Sequence, residues 1–263
     1  MNRIEKDAFA TNPVEISVDG PVAHVAFNRA AKRNAINDAL LNALAAFFAA
    51  PPKDARVVIL SGRGGHFSAG LDLAEQAERE PEEVMRHSRG WHELMDRVQF
   101  GGLPVVSVLQ GAVMGGGLEI AAATHVRVAE HGARYQLPEG KRGIFVGGGA
   151  TVRVGRIIGP DRMTEMMLTG REYSAEEGQS LGLSHYLVGE GEAHARAAEL
   201  AREIASNASL VNYLIIQSIA RINDMSRADG LFAESLSAAL SQTGPDAKEG
   251  LKAFLEKRKP RFS

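Results

Sequence analysis

Two short apolar runs, each followed by a glycine-rich turn, constrain the fold of this chain more than any other feature. The runs cover residues 56–60 and 104–109 and contain mainly valine, leucine and isoleucine. Runs of this length without polar alternation are typical of strands that are buried on both faces of a sheet. Segments with helical periodicity lie between the strands, an order that favours a parallel sheet covered by helices. The middle of the chain therefore predicts an α/β core.

The N-terminal part of the chain predicts a β-hairpin followed by a helix. Two runs alternate between apolar and other residues around a turn at residues 19–21, which is a hairpin pattern. The alternating apolar residues are Val14, Ile16 and Val18, then Ala23, Val25 and Phe27. Asn37 is placed to cap the next helix, and the prolines at 51–52 end it.

The C-terminal part of the chain predicts helices alone. Residues 192–206, 210–222, 230–241 and 246–257 carry apolar side chains at intervals of three and four. We place a domain boundary near residue 190, between an α/β domain of residues 1–190 and a helical region of residues 191–263. The apolar faces of this region need another surface to cover them. The sequence shows no internal repeat.

Composition excludes several classes of function. The 263 residues include 30 basic and 32 acidic side chains and no cysteine. The balance of charge lacks the basic excess of a nucleic-acid-binding protein, and disulfides and cysteine-ligated metals are ruled out. Residues 1–11 lack the apolar core of a secretory signal, and apolar stretches are too short to span a bilayer. We therefore expect a cytoplasmic protein without nucleic-acid, membrane or metal partners.

Common catalytic motifs are also missing. Gly62 and Gly64 resemble the start of a dinucleotide-binding fingerprint, but Phe67 stands where its third glycine belongs. His92 is followed by a glutamate, yet Asp96 replaces the second histidine of a zinc-protease helix. The sequence contains neither a phosphate-binding P-loop nor the Gly-x-Ser-x-Gly turn of serine hydrolases.

The turns at residues 66–73 and 111–119 remain as candidates for chemistry. Each comes after a predicted buried strand and leads into a predicted helix, where backbone amides lack internal acceptors. We expect the amides of Ala69 and Gly116 to point at one ligand oxygen. A single such turn more often only permits a tight bend, but two at successive strand ends favour an anion-binding pocket. Glu119 and Glu139 stand nearby in the sequence, although their spacing alone does not bring them together.

These two turns, in this order and separation, resemble those of the crotonase (enoyl-CoA hydratase/isomerase) superfamily. Residues 29–37 are similar to the coenzyme A-binding segment of that family, residues 168–183 to a later block, and residues 254–258 to its closing helix. The resemblance implies a crotonase-like (ClpP/crotonase) α/β spiral of ββα units with a C-terminal helical region. It also implies a homotrimer or a dimer of trimers, with the C-terminal helices at the contacts.

The resemblance implies roles for individual residues. Glu119 and Glu139 match the two catalytic glutamates of the hydratases, and the amides of Ala69 and Gly116 match the donors to the thioester oxygen. Residues that match the substrate and coenzyme A contacts are Arg29, Lys32, Arg33, Ala35, Ser68, Gly70, Leu71, Asp72, Gly115 and Pro138. The implied reaction adds water to a 2-enoyl-CoA thioester, with no cofactor because coenzyme A is part of the substrate.

Other functions stay open at this point. Val146 and Val152 stand where many hydratases carry proline and glutamine, in a segment that shapes the acyl pocket of the family. The alternatives are enoyl-CoA isomerisation, hydration followed by cleavage, acyl-CoA hydrolysis and acyl-CoA binding without catalysis. Isomerases of the family commonly keep only one of the two carboxylates, so the pair favours hydration.

Overall fold

The structure is a computed structural model that describes residues 12–75 and 79–262. Its strands are β1 (Val14–Asp19), β2 (Val22–Phe27), β3 (Val57–Gly62), β4 (Val105–Leu109), β5 (Ala112–Met114), β6 (Val126–Glu130), β7 (Arg134–Gln136) and β8 (Tyr186–Val188). Its helices are α1 (Asp38–Ala49), α2 (Pro81–Phe100), α3 (Gly116–Ala123), α4 (Ala150–Ile158), α5 (Pro160–Thr169), α6 (Ala175–Ser180), α7 (Ala193–Ala205), α8 (Ser209–Ile222), α9 (Arg227–Gln242) and α10 (Pro245–Leu255).

The main sheet has six strands in the order β1-β2-β3-β4-β6-β8. The predicted hairpin is confirmed, because β1 pairs antiparallel with β2 from Val14 opposite Phe27 to Asp19 opposite Val22. Every other neighbouring pair in this sheet is parallel. The predicted cap of α1 is also confirmed, since the Asn37 side chain accepts a hydrogen bond from the Leu40 N–H at 3.0 Å.

The central strands are buried on both faces, as their composition predicts. In β3, Val58 and Leu60 face the larger core, while Val57 and Ile59 face a second core that includes Leu200 of α7. This alternation results from the period of two in a strand. Since α7 covers one face of the sheet, it is part of the α/β body. α7 lies after the expected boundary near residue 190, and the boundary itself stays a prediction.

A backbone repeat without a sequence repeat organises the body. β4 continues into the short strand β5 and then α3, and β6 is followed by β7 and later by α4. After β3, Ser68 makes a bridge to Val113 in the place of a second strand, and α2 comes next. β5 and β7 pair as a second, parallel sheet. These three ββα units confirm the predicted crotonase-like architecture.

The C-terminal helices are present as predicted, each within three residues of its expected bounds. α8 packs on α9, but large apolar side chains of this region remain exposed. The most exposed among them are Ile219, Phe232, Leu236, Leu251, Phe254 and Leu255. No helix of the described part of the chain is long and apolar enough to cross a membrane.

Candidate active site

The two glycine-rich turns lie side by side. The Ser68 N–H donates to the Ala112 carbonyl at 2.9 Å, and the Met114 N–H donates to the Ser68 carbonyl at 3.0 Å. Gly70 and Gly115 come next in their segments and both have positive φ, at 90° and 50°. A Cβ built on Gly70 would stand 2.8 Å from the Met114 carbonyl oxygen. The backbone of the second turn therefore leaves no room for a side chain at Gly70.

The two turns lead into different elements. α3 starts at Gly116, directly after the second turn, as expected. The first turn leads instead into the short 3-10 helix Leu73–Glu75, and α2 starts only at Pro81. The prediction of a helix immediately after the first turn is therefore wrong. A helix dipole acts on the pocket from the α3 side.

The expected donor in the first turn is also wrong. The Ala69 N–H donates to the Arg33 carbonyl at 2.9 Å, so a ligand oxygen cannot use it. The Leu71 N–H makes no hydrogen bond to any acceptor within residues 12–75 and 79–262. The residues on either side of it do bond to Ile36, since the Gly70 carbonyl accepts from the Ile36 N–H and the Asp72 N–H donates to the Ile36 carbonyl. The Gly116 N–H stands at the first position of α3, where a helix offers no internal acceptor. The N–H groups of Leu71 and Gly116 are thus the two that can donate hydrogen bonds to a ligand oxygen.

Both residues line a pocket of about 330 Å³ together with Glu119 and Glu139. Apolar side chains form much of its wall, namely those of Leu73, Val84, Trp91, Ile144, Phe145 and Val146. Trp91, the one tryptophan of the chain, is a wall residue that the sequence analysis missed. A Cβ at Gly116 would lie 2.7 Å from the Trp91 ring, and one at Gly148 would lie 2.8 Å from it. The ring therefore requires glycine on both sides.

Glu119 is held by backbone amides. Its side chain is 4% exposed in the first turn of α3, and its Oε1 accepts hydrogen bonds from the N–H groups of Gly148 at 2.8 Å and Ala150 at 3.0 Å. Burial raises the pKa of Glu119 above its usual value, while these two donors and the positive charge of Arg153 oppose that rise. Donors that stabilise the ionised form are typical of carboxylates that carry their charge while buried.

Glu139 has a different environment. It starts the 3-10 helix Glu139–Arg142 after the buried Pro138, and it is 8% exposed. Its Oε2 has no hydrogen-bond partner in the described residues. Burial raises the pKa of Glu139 to about 7, and the nearby charge of Glu119 adds to the increase. Gly115 makes room for this side chain, because a Cβ there would lie 2.7 Å from Glu139 Oε1.

A second pocket of about 350 Å³ adjoins the first, since Leu71 and Leu73 line both. Lys32, Arg33 and Arg142 give it a positive charge. Ala35, Ala69 and Asp72 also line it. Arg142 was missed because nothing in the sequence connects it with the segment of residues 29–37.

Two of the expected ligand contacts, Arg29 and Asp72, bind each other within the protein. Arg29 donates to Asp72 at 2.9 Å and also to the Ala35 carbonyl, and Lys32 lies 3.1 Å from Asp72. Burial alone would raise the pKa of Asp72, but the hydrogen bonds from these cations bring it below its usual range. Arg29 and Asp72 thus fasten residues 29–35 to the first turn. Neither of them lines the pocket of the two glutamates.

The Ser68 hydroxyl also bonds within the protein. It is fully buried, donates to the Asn34 carbonyl at 2.8 Å and accepts from the Gly70 N–H at 3.1 Å.

The two departures from the hydratase pattern, Val146 and Val152, lie in different parts of the structure. Val146 lines the pocket of the glutamates, whereas Val152 is 54% exposed and lines a different pocket. Of the two, only Val146 can therefore contact a ligand bound beside the two glutamates.

Comparisons of the sequence with known proteins identify similar enzymes. A family model described as Enoyl-CoA hydratase/isomerase matches residues 18–263. The 2,3-dehydroadipyl-CoA hydratase of Escherichia coli (strain K12) is 32% identical over 237 residues, which cover 89% of this chain and 92% of that protein. The enoyl-CoA hydratase EchA19 of Mycobacterium tuberculosis is 31% identical over 243 residues, covering 90% and 91%.

Solved structures match over a similar length. A structure from Rhodopseudomonas palustris CGA009 is 47% identical, covers 93% of this chain and 95% of its own, and superposes with a TM-score of 0.91. An enoyl-CoA hydratase from Bacillus anthracis is 31% identical, covers 95% and 98%, and gives a TM-score of 0.90. The chain therefore belongs to the enoyl-CoA hydratase/isomerase family and has its crotonase fold.

Proposed function

We propose that the protein hydrates the double bond of a 2-enoyl-CoA thioester to give a 3-hydroxyacyl-CoA. The observation that carries this proposal is the pair of buried carboxyl groups, Glu119 and Glu139, in one pocket with the amides of Leu71 and Gly116. Binding an acyl-CoA without reaction would not require two buried acids. Burying two such groups costs free energy, which favours a catalytic role.

The amides prepare the alkene for attack. A thioester carbonyl conjugated to the alkene makes the β-carbon electrophilic, provided that its oxygen can accept negative charge. In the proposed complex this oxygen receives hydrogen bonds from the Leu71 and Gly116 N–H groups, and the dipole of α3 adds to the effect. The loss of one such donor typically costs about 2.7–4 kcal/mol in the barrier.

The two glutamates divide the proton transfers. Glu119, whose Oε1 accepts two backbone N–H bonds, is the ionised member and takes a proton from water as the water oxygen bonds to the β-carbon. Glu139, with a pKa of about 7, holds the proton that passes to the α-carbon. The electron pair of the alkene forms the new C–H bond. Proton exchange with solvent then restores both side chains.

The pocket beside Lys32, Arg33 and Arg142 is the proposed place for the coenzyme A phosphates. It joins the acyl pocket through Leu71 and Leu73, so a thioester can reach from one to the other. The reaction as written needs no cofactor.

The exposed apolar side chains of α8 to α10 support the further proposal that the chain forms a trimer or a dimer of trimers. A cytoplasmic location stays a prediction.

Product analysis with purified protein tests the reaction. 2-Enoyl-CoA and 3-enoyl-CoA thioesters of several chain lengths are incubated with the protein in oxygen-18 water and analysed by mass spectrometry. We expect 3-hydroxyacyl-CoA labelled with one solvent oxygen. A moved double bond without added water would indicate isomerisation, and shortened or hydrolysed thioesters would indicate cleavage. The double variant Glu119→Gln, Glu139→Gln controls for contaminating activity. Absence of any product would contradict the proposal.

A further inference from the structure

Arg153 is a buried cation behind the Glu119 side of the pocket. It lies in the first turn of α4 and is 8% exposed. Its Nε donates to Gln99 Oε1 at 2.8 Å, and its Nη2 donates to Asp96 Oδ1 at 2.6 Å. Both partners belong to the C-terminal part of α2, so the guanidinium group ties α4 to α2.

The same guanidinium group lies against the loop that holds Glu119. Gly149, between the two residues whose amides bind Glu119, has a φ of 103°, and a Cβ there would collide with Arg153 Nη1. The positive charge of Arg153 also lowers the pKa of Glu119, against the effect of burial. Arg153 does not line the acyl pocket. It lines a separate pocket, of about 910 Å³, together with Ile219 of α8 and Asn223, which follows this helix.

We propose that Arg153 is a positioning residue for the hydration reaction: it fixes the Gly148–Ala150 amides against Glu119 and keeps this carboxylate ionised, without touching substrate. This inference rests on the proposed function for its role in catalysis. Its electrostatic part concerns the protein alone, and can be tested without substrate.

Other ionisable groups face the same place and have to be counted. The negative charge of Asp96 favours the charged form of Arg153, whereas the positive charge of Arg156 in α4 opposes it. Glu139 interacts with Glu119 across the pocket. His92 of α2 lies 3.9 Å from the position of a Cβ on Gly149. Arg153 is the one cation whose charge is found to act on Glu119 among the described residues, which sets it apart from Arg156.

The titration of Glu119 tests this inference directly. Protein labelled with carbon-13 at the glutamate carboxyl groups is titrated by NMR, and the Glu119 signal is identified by its loss in Glu119→Gln. In Arg153→Gln we expect the Glu119 midpoint to move to higher pH, because a stabilising cation is lost. In Arg153→Lys it should stay near the wild-type value. An unchanged midpoint in folded Arg153→Gln would overturn the proposal.

Two further variants serve as controls. Arg156→Gln removes an exposed arginine one turn further along the same helix and should leave the Glu119 midpoint in place. Asp96→Asn removes the anion beside Arg153 and should move the midpoint to lower pH. If Arg153→Gln fails to fold, Asp96→Asn still decides, since an upward shift or no shift would refute the inference.

Kinetics separate this inference from the proposed function. If the wild-type protein hydrates enoyl-CoA, Arg153→Gln should have a lower kcat at pH values below the Glu119 midpoint. A midpoint that rises by about one pH unit should lower kcat there about tenfold, with KM nearly unchanged. A loss that is equal at all pH values would indicate a purely structural role and contradict the proposal. If the wild-type protein has no hydratase activity but the midpoint shifts, the proposed function fails and the electrostatic role of Arg153 stands.

Discussion

The two walls of the pocket place a glutamate in opposite surroundings. On the α3 side, Glu119 accepts two backbone hydrogen bonds, with a buried arginine behind the loop that donates them. On the opposite side, Glu139 starts a short 3-10 helix, and one of its oxygens has no partner in the described residues. Identical side chains thus differ in the hydrogen-bond donors around them, and donors to a carboxylate favour its ionised form. In the proposed reaction this difference makes Glu119 the base and Glu139 the acid.

The largest expected effect comes from replacing either glutamate. Glu119→Gln and Glu139→Gln should each lower kcat for hydration by roughly 10²–10⁴-fold, the usual contribution of general acid–base catalysis. The amide oxygen of glutamine can still accept from Gly148 and Ala150, so acyl-CoA binding should remain measurable. Steady-state kinetics and calorimetric titration with a saturated acyl-CoA check this prediction. If both variants turned over enoyl-CoA at nearly the normal rate, the catalytic assignment would be wrong.

A backbone substitution tests whether the Leu71 N–H donates a hydrogen bond to the thioester oxygen of the substrate. Replacing the Leu71 N–H by an ester oxygen removes a donor that has no partner within the described residues, and should cost about 2.7–4 kcal/mol in the barrier. The same change at Ala69 removes a bond to the Arg33 carbonyl and should lower stability while kcat changes little. Single-turnover rates and thermal unfolding distinguish the two esters. Equal losses of rate would mean that Leu71 is not the special donor.

The smallest effect concerns stability. The pKa of Glu139 is about 7 in the folded protein, against 4.5 for an ordinary glutamate. As pH rises between these values, the unfolded chain loses this proton while the folded protein keeps it, so the group destabilises the fold increasingly up to about pH 7. Glu139→Gln should therefore gain stability relative to wild type between about pH 5 and pH 8, by at most about 3 kcal/mol. Urea unfolding at both pH values measures this difference, and a constant difference would contradict the raised pKa.

Local sequence patterns predicted much of the architecture. The hairpin, the Asn37 cap, the buried strands and the C-terminal helices all depend on side-chain spacing, capping and turn residues within a few positions of each other. Such interactions act along a short stretch of chain. The glycine-rich turns were recognisable for the same reason, although the helix expected after the first turn starts only at Pro81. The resemblance to a known family added the two glutamates as a pair.

What only the tertiary structure decided depends on partners distant in sequence. Ala69 was the expected donor, but the carbonyl of Arg33, far earlier in the chain, already accepts its hydrogen. Arg29 was expected only as a coenzyme A contact, and the structure adds that it binds Asp72. Trp91 and Arg153 gave no local signal, because their roles arise where α2 meets α3 and α4. The sequence by itself thus determined which segments become strands, helices and turns, whereas packing decided which donors and charges remain available to a substrate.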